Sequence, residues 1–168
     1  MSVQTTSSKQ PVNTKQVTGR RTVHYATYND LLVDAERLAG MQTKTLGNWS
    51  FGQIMKHMAD SICVMIDGNS TFTMPAPVQF VMRLLMKKKM LTQTLSPGFR
   101  LPKKAANMIP GPTSTEVGLS ELRAAVNRAN TEPNRAPHPG FGTMGPGEWD
   151  EFQLRHCEMH MSFVVPAE

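Results

Sequence analysis

Apolar residues in this chain recur at helical spacing in four blocks, separated by stretches that break the pattern. In the first block Tyr28, Leu31, Leu32, Ala35 and Leu38 stand three and four residues apart, and Gly40 supplies a stop. The second opens at Ser50, which with Gln53 has the spacing of a capping box. Ile54, Met58, Ile62, Met65 and Ile66 then trace one face as far as Gly68. Leu119, Leu122, Val126 and Ala129 mark a third helix, from about Thr115 or Ser120 to Asn130, with Pro133 beyond its end. The fourth is expected from near Pro146, a residue suited to the first helical position, to about Val165. No period-two pattern of useful length interrupts them.

Two regions fall outside the blocks. Residues 1–20 contain no Leu, Ile or aromatic side chain, so they cannot bury enough surface to offset their ordering entropy and read as a mobile tail. Residues 69–117 are punctuated by Pro75, Pro77, Pro97, Pro102, Pro110 and Pro112, with a short helical run at Val78, Val81, Met82, Leu85 and Met86. This stretch is expected to be a long, partly helical crossover lying against the rest. The pattern therefore predicts an all-α fold. Its form is an antiparallel four-helix bundle occupying residues 21–168 as one domain, with the crossover between the second and third helices.

Composition changes this picture little. With 168 residues and 39% hydrophobic side chains the chain is long enough for a real core, and its 13 methionines read as core packing. The formal charge of +5 comes largely from Arg83, Lys87, Lys88, Lys89, Arg100, Lys103 and Lys104, with no acid between them. Such a run can serve as an anion-binding surface, but no aromatic ladder interleaves it and no nucleic-acid-binding spacing accompanies it. A solvated face is the expected role, and no nucleic-acid partner is expected. Cys63 and Cys157 are too few for a disulfide framework and read as small buried hydrophobes. The first twenty residues hold no apolar stretch, and nothing approaches the roughly 20 apolar residues of a membrane span. A cytoplasmic protein with no membrane partner is expected.

Histidine placement carries the chemistry. His156 and His160 lie four apart, so both project from one face of the fourth helix, beside Trp149, Phe152 and Phe163. His57 sits between apolar Ile54 and Met58 on the second helix. Three imidazoles facing one another in a helical core can hold a divalent ion, zinc or nickel first, and three protein ligands leave coordination positions open for chemistry. Gln53, Ser61 and Asp60, within a turn of His57, are candidates to support its ring. His138, in the loop before the fourth helix, is a candidate acid, base or hydrogen-bond donor at the pocket mouth, or else a turn residue bonding the backbone. Glu158 points about 200° around the helix from His156, away from such a site. Gly140-Phe-Gly-Thr-Met-Gly145 matches a dinucleotide-binding expression but follows Pro137 and Pro139, where that motif needs a strand, so the glycines are read as turn formers.

The segments Trp49-Ser-Phe-Gly-Gln-Ile-Met-Lys-His57-Met-Ala-Asp and Arg155-His-Cys-Glu-Met-His160-Met-Ser-Phe resemble the DinB/YfiT-like superfamily. The loop His138-Pro-Gly-Phe-Gly142 resembles an uncharacterised branch of it, a domain of unknown function, and the likeness runs from about Arg20 to Phe163. The resemblance implies a four-helix bundle whose metal is held by one histidine of the second helix and two of the fourth, here His57, His156 and His160. Better-understood relatives are metal-dependent transferases and isomerases that use a low-molecular-weight thiol. The function expected is thus a metal-dependent transferase or hydrolase acting on a small molecule through a thiol or activated water. The alternative is a non-enzymatic metal-binding bundle, structural or sensory. The superfamily often pairs, so a homodimer is the assembly the resemblance implies.

Overall fold

The computed structural model describes residues 11–68, 73–98 and 109–167. Among them the chain is mostly helical, with six α-helices and one small sheet. Helix α1 spans Tyr28–Ala39, α2 Phe51–Asp67, α3 Ala76–Leu85, α4 Lys87–Thr92, α5 Thr115–Thr131 and α6 Pro146–Met161. Strands β1, Thr43–Thr45, and β2, Val164–Pro166, pair antiparallel, with Lys44 opposite Val165.

The helix starts follow local chemistry. Thr27 and Ser50 each accept the backbone N–H three residues on, and Asp30 and Gln53 reciprocate, so both helices begin with complete capping boxes. Ser114 caps α5 by accepting the Val117 N–H. The core is shared by α1, α2, α5 and α6. Leu31, Ala35 and Leu38 meet Met55, Met58, Ile62, Met65, Leu122 and Met161, all fully buried. Each of these leucine, isoleucine and methionine side chains contributes roughly 1.5–3 kcal/mol by leaving water. The methionines expected in packing are therefore found there.

Helices α2 and α5 cross closely at their N-terminal ends because both carry glycine. A Cβ on Gly52 would lie 2.2 Å from the Thr113 carbonyl oxygen, and one on Gly118 would lie 2.5 Å from that of Gly52. This approach fixes the height at which α2 presents its side chains to the rest of the core.

Three expectations need correction. The fourth helix does not reach Val165; it ends at Met161, and Val164 and Val165 enter β2. Their β-branched side chains suit extended backbone, Pro166 cannot continue a helix, and β1 offers a partner. The crossover contains two helices, broken at Met86; α4 lies against the core through Met90 and Leu91, whereas most apolar side chains of α3 do not. Val78, Val81, Leu85 and Met86 are exposed, and only Met82 of the run expected at 78–86 packs on the core. The tail expected over residues 1–20 divides. Its first ten residues lie outside the described ones, whereas Thr14–Gln16 form a 3-10 turn, Asn48 exchanges two hydrogen bonds with Val12, and Arg20 donates to the Ser162 hydroxyl. Arg100, Lys103 and Lys104 also lie outside the described residues.

Candidate metal centre

His57 lies on the inner face of α2, buried, with Ile54 and Met58 beside it. His156 and His160, one turn apart on α6, meet it from across the core. The His57 and His156 Nε2 atoms are 3.3 Å apart, and those of His160 and His156 are 3.0 Å apart. One nitrogen from each ring lies within 4.8 Å of the other two. Nitrogens around a tetrahedral ion at about 2.0 Å stand about 3.3 Å from one another, so the donors fit a divalent cation in type, and the two spacings about His156 fit it in distance. Residues a hundred positions apart in sequence thus converge as the histidine pattern predicts.

The surroundings keep the two α6 rings neutral, the form that ligates. Burial, with the neighbouring imidazoles His57 and His138, pushes His156 down to about 3. Burial also holds His160 well below its ordinary range, and His156, His57 and the Arg20 guanidinium act in the same direction. Trp49, just ahead of the α2 cap, stacks on His160 with centroids 5.4 Å apart and planes 8° apart, and tilts against His57 at 4.9 Å. No spacing in the sequence assigns Trp49 a place at the site. Its position immediately before Ser50, on the approach to the histidine helix, was the available signal. Arg20 stacks over the Phe163 ring at 4.4 Å and borders the same region.

His138 is held by its own turn. Its Nδ1 accepts the N–H groups of Gly140 and Phe141 at 2.9 and 3.1 Å, and its backbone forms a two-bond bridge with Gly142, whose φ of 69° suits glycine. An Nδ1 that accepts twice leaves the proton of the neutral ring on Nε2. Phe141, Trp149 and Phe152 surround the ring at 4.7, 4.5 and 4.9 Å, and this burial lowers its pKa to about 4. The turn-bonding reading of His138 therefore holds at Nδ1, and the ring proton is left on Nε2.

The residues expected to support His57 are engaged elsewhere. Gln53 completes the α2 cap and donates to the Pro110 carbonyl. Ser61 donates to the Met58 carbonyl and accepts from Gln153, and Asp60 pairs with Lys56. Glu158 does point away from the histidines, into a buried ion cluster with Arg155 that the spacing argument did not foresee. Cys157 is buried, its thiol pushed up to about 12 by desolvation, whereas Cys63 is half-buried.

A family model for proteins of unknown function, DUF1569, matches residues 17–167, and the chain belongs to that family. No curated protein and no solved structure matches the chain.

Proposed function

We propose that this member of a family without an assigned activity is a metal-dependent enzyme, a transferase or hydrolase of a small molecule. In this reading its four long helices form a bundle of the DinB/YfiT-like type, in which α2 and α5 run parallel where the spacing pattern led to an antiparallel expectation. His57, His156 and His160 would hold a divalent ion, zinc or nickel. The observation that carries the reading is the convergence of three imidazole nitrogens from α2 and α6 within 4.8 Å. When bound, such an ion supplies a Lewis acid that lowers the pKa of a bound water to about 7 or carries a substrate thiolate.

The chain's own residues would do the rest. Trp49 covers His160 and His57 and limits water on that side. His138 offers its Nε2–H as a hydrogen-bond donor toward a substrate oxygen or leaving group, and the turn that grips Nδ1 keeps the ring in one tautomer. Arg20 places a cation beside His160, where it favours a substrate that bears negative charge.

The test is elemental analysis of protein purified without a histidine tag. One equivalent of zinc or nickel is expected in the wild type, with a loss of at least tenfold in affinity in His57→Ala. Absence of stoichiometric metal after incubation with either ion, or equal metal content in His57→Ala, overturns the reading.

A further inference from the structure

Helix α3 carries an apolar face that none of the described residues covers. Phe80, Val81, Leu84 and Leu85 are 67%, 51%, 74% and 72% exposed, and no residue of α3 is buried. Their i, i+1, i+4 and i+5 spacing puts them on one arc of about 140°, while Met82, on the other side, packs against the core. Scattered surface leucines are ordinary; four large apolar side chains side by side on one helix mark a contact surface.

The charges around this face decide what covers it. Arg83 lies within α3, and Lys87, Lys88 and Lys89 open α4 directly after it. Lys87 pairs with Glu148 at 2.6 Å, whereas Lys88 and Lys89, both exposed, have no carboxylate partner among the described residues. Between Asp67 and Glu116 the sequence contains no acid at all. A second copy docking through the same face about a two-fold axis would set these cations against their own equivalents. A partner that is both apolar and negatively charged meets neither obstacle. An anionic bilayer is such a partner: apolar side chains enter the acyl boundary, and lysines lie among the headgroups.

We propose that α3 and α4 form a peripheral docking surface for an anionic lipid membrane. No helix among the described residues is long and apolar enough to cross one, so the chain would lie on the surface. The expectation of no membrane partner rested on the lack of a spanning segment, and a flat-lying helix of 10 residues needs none. This surface is independent of the histidine cluster.

The full chain is sedimented with phosphatidylcholine vesicles, with or without phosphatidylglycerol. It should pellet with the anionic vesicles only, and less as salt rises. Leu84→Glu/Leu85→Glu, at exposed positions that leave thermal stability unchanged, should abolish pelleting. Lys88→Gln/Lys89→Gln should weaken it about thirtyfold, at about 1 kcal/mol for each cation removed. Four results overturn the proposal: no pelleting with either vesicle at low salt, equal pelleting with both, pelleting that survives Leu84→Glu/Leu85→Glu, or a dimer in sedimentation velocity that this double variant dissociates.

Discussion

Helix α6 turns two unlike polar faces toward the interior. One carries His156 and His160, kept neutral by burial and by neighbouring imidazoles, to meet His57. The other carries Arg155 and Glu158, 2.9 Å apart, both buried. On this second face each Glu158 oxygen is satisfied. Oε1 accepts the Tyr25 N–H and the Arg155 guanidinium, and Oε2 accepts the Thr94 hydroxyl. Arg155 also donates to the Tyr25 carbonyl and meets His24. The charged face resembles any buried ion pair that holds segments together: opposite charges, hydrogen bonds from backbone, and links to the chain ahead of α1. The histidine face gathers donors of one kind with no opposing charge among the three. Core stability does not call for that, whereas shared ligation of a cation does.

The largest effect that separates the two faces comes from breaking the charged one. Arg155→Met leaves the Glu158 carboxylate buried beside an apolar side chain, and the chain should lose about 3–5 kcal/mol of stability in urea unfolding. Arg155→Met/Glu158→Leu should recover most of that loss, because the cost lies in a buried carboxylate left with His24 and two hydrogen bonds but no guanidinium. Neither variant should reduce metal content measured on folded protein. If metal binding fell together with stability, the two faces would be one unit and the contrast would fail.

A second test addresses the neutral side through His138, which lies outside the three-histidine set. Its folded pKa of about 4 lies below the ordinary imidazole value of 6.5 because burial disfavours the cation. The unfolded chain therefore takes up a proton first as pH falls. The stabilisation from the neutral ring is complete above about 6.5 and is lost between about 6.5 and 4. The difference of about 2.5 units corresponds to about 3 kcal/mol. The unfolding free energy of wild type should fall over that window by about this much more than that of His138→Gln, followed by urea titration at a series of pH values. Parallel pH profiles would mean that the aromatic enclosure of Phe141, Trp149 and Phe152 does not exclude a charged ring.

These faces were not equally legible in the sequence. His57, His156 and His160 stood out because a histidine interrupting an apolar stripe breaks a pattern, and i, i+4 spacing fixes two rings on one side of a helix. The capped starts of α1 and α2 were legible for the same local reason: caps lie within one turn of what they cap. The ion cluster was not, because Glu158 receives Tyr25 and Thr94 from segments 133 and 64 residues away, and no local spacing encodes such a meeting. Strand β2 was missed because three residues are too few to show alternation, and its extended form depends on β1, far off in sequence. The open face of α3 reversed a reasonable rule. An apolar stripe predicts burial only when the chain supplies something to cover it, and here Phe80, Leu84 and Leu85 have nothing over them among the described residues.

The smallest effect concerns how far the charged face depends on the segment that follows α4. Thr94 lies two residues past that helix and donates to Glu158 Oε2 at 2.9 Å, which ties the α3–α4 arm to α6. A hydrogen bond to a charged group is worth about 1.5–3 kcal/mol in full burial, but Thr94 is itself exposed, so water replaces part of what its removal takes away. Thr94→Val keeps the shape and removes the donor, and should cost about 1 kcal/mol in urea unfolding. Hydrogen exchange should locate the loosening in α3 and α4, since that bond is one of few between the arm and α6, while amides of α2 and α5 keep their protection. Arg155 still compensates the carboxylate in this variant, so the loss should stay well below that of Arg155→Met. A loss as large as that of Arg155→Met would show that Glu158 is held in place by the arm. The charged face would then be a latch on α3 and α4, and not a fixed part of the core.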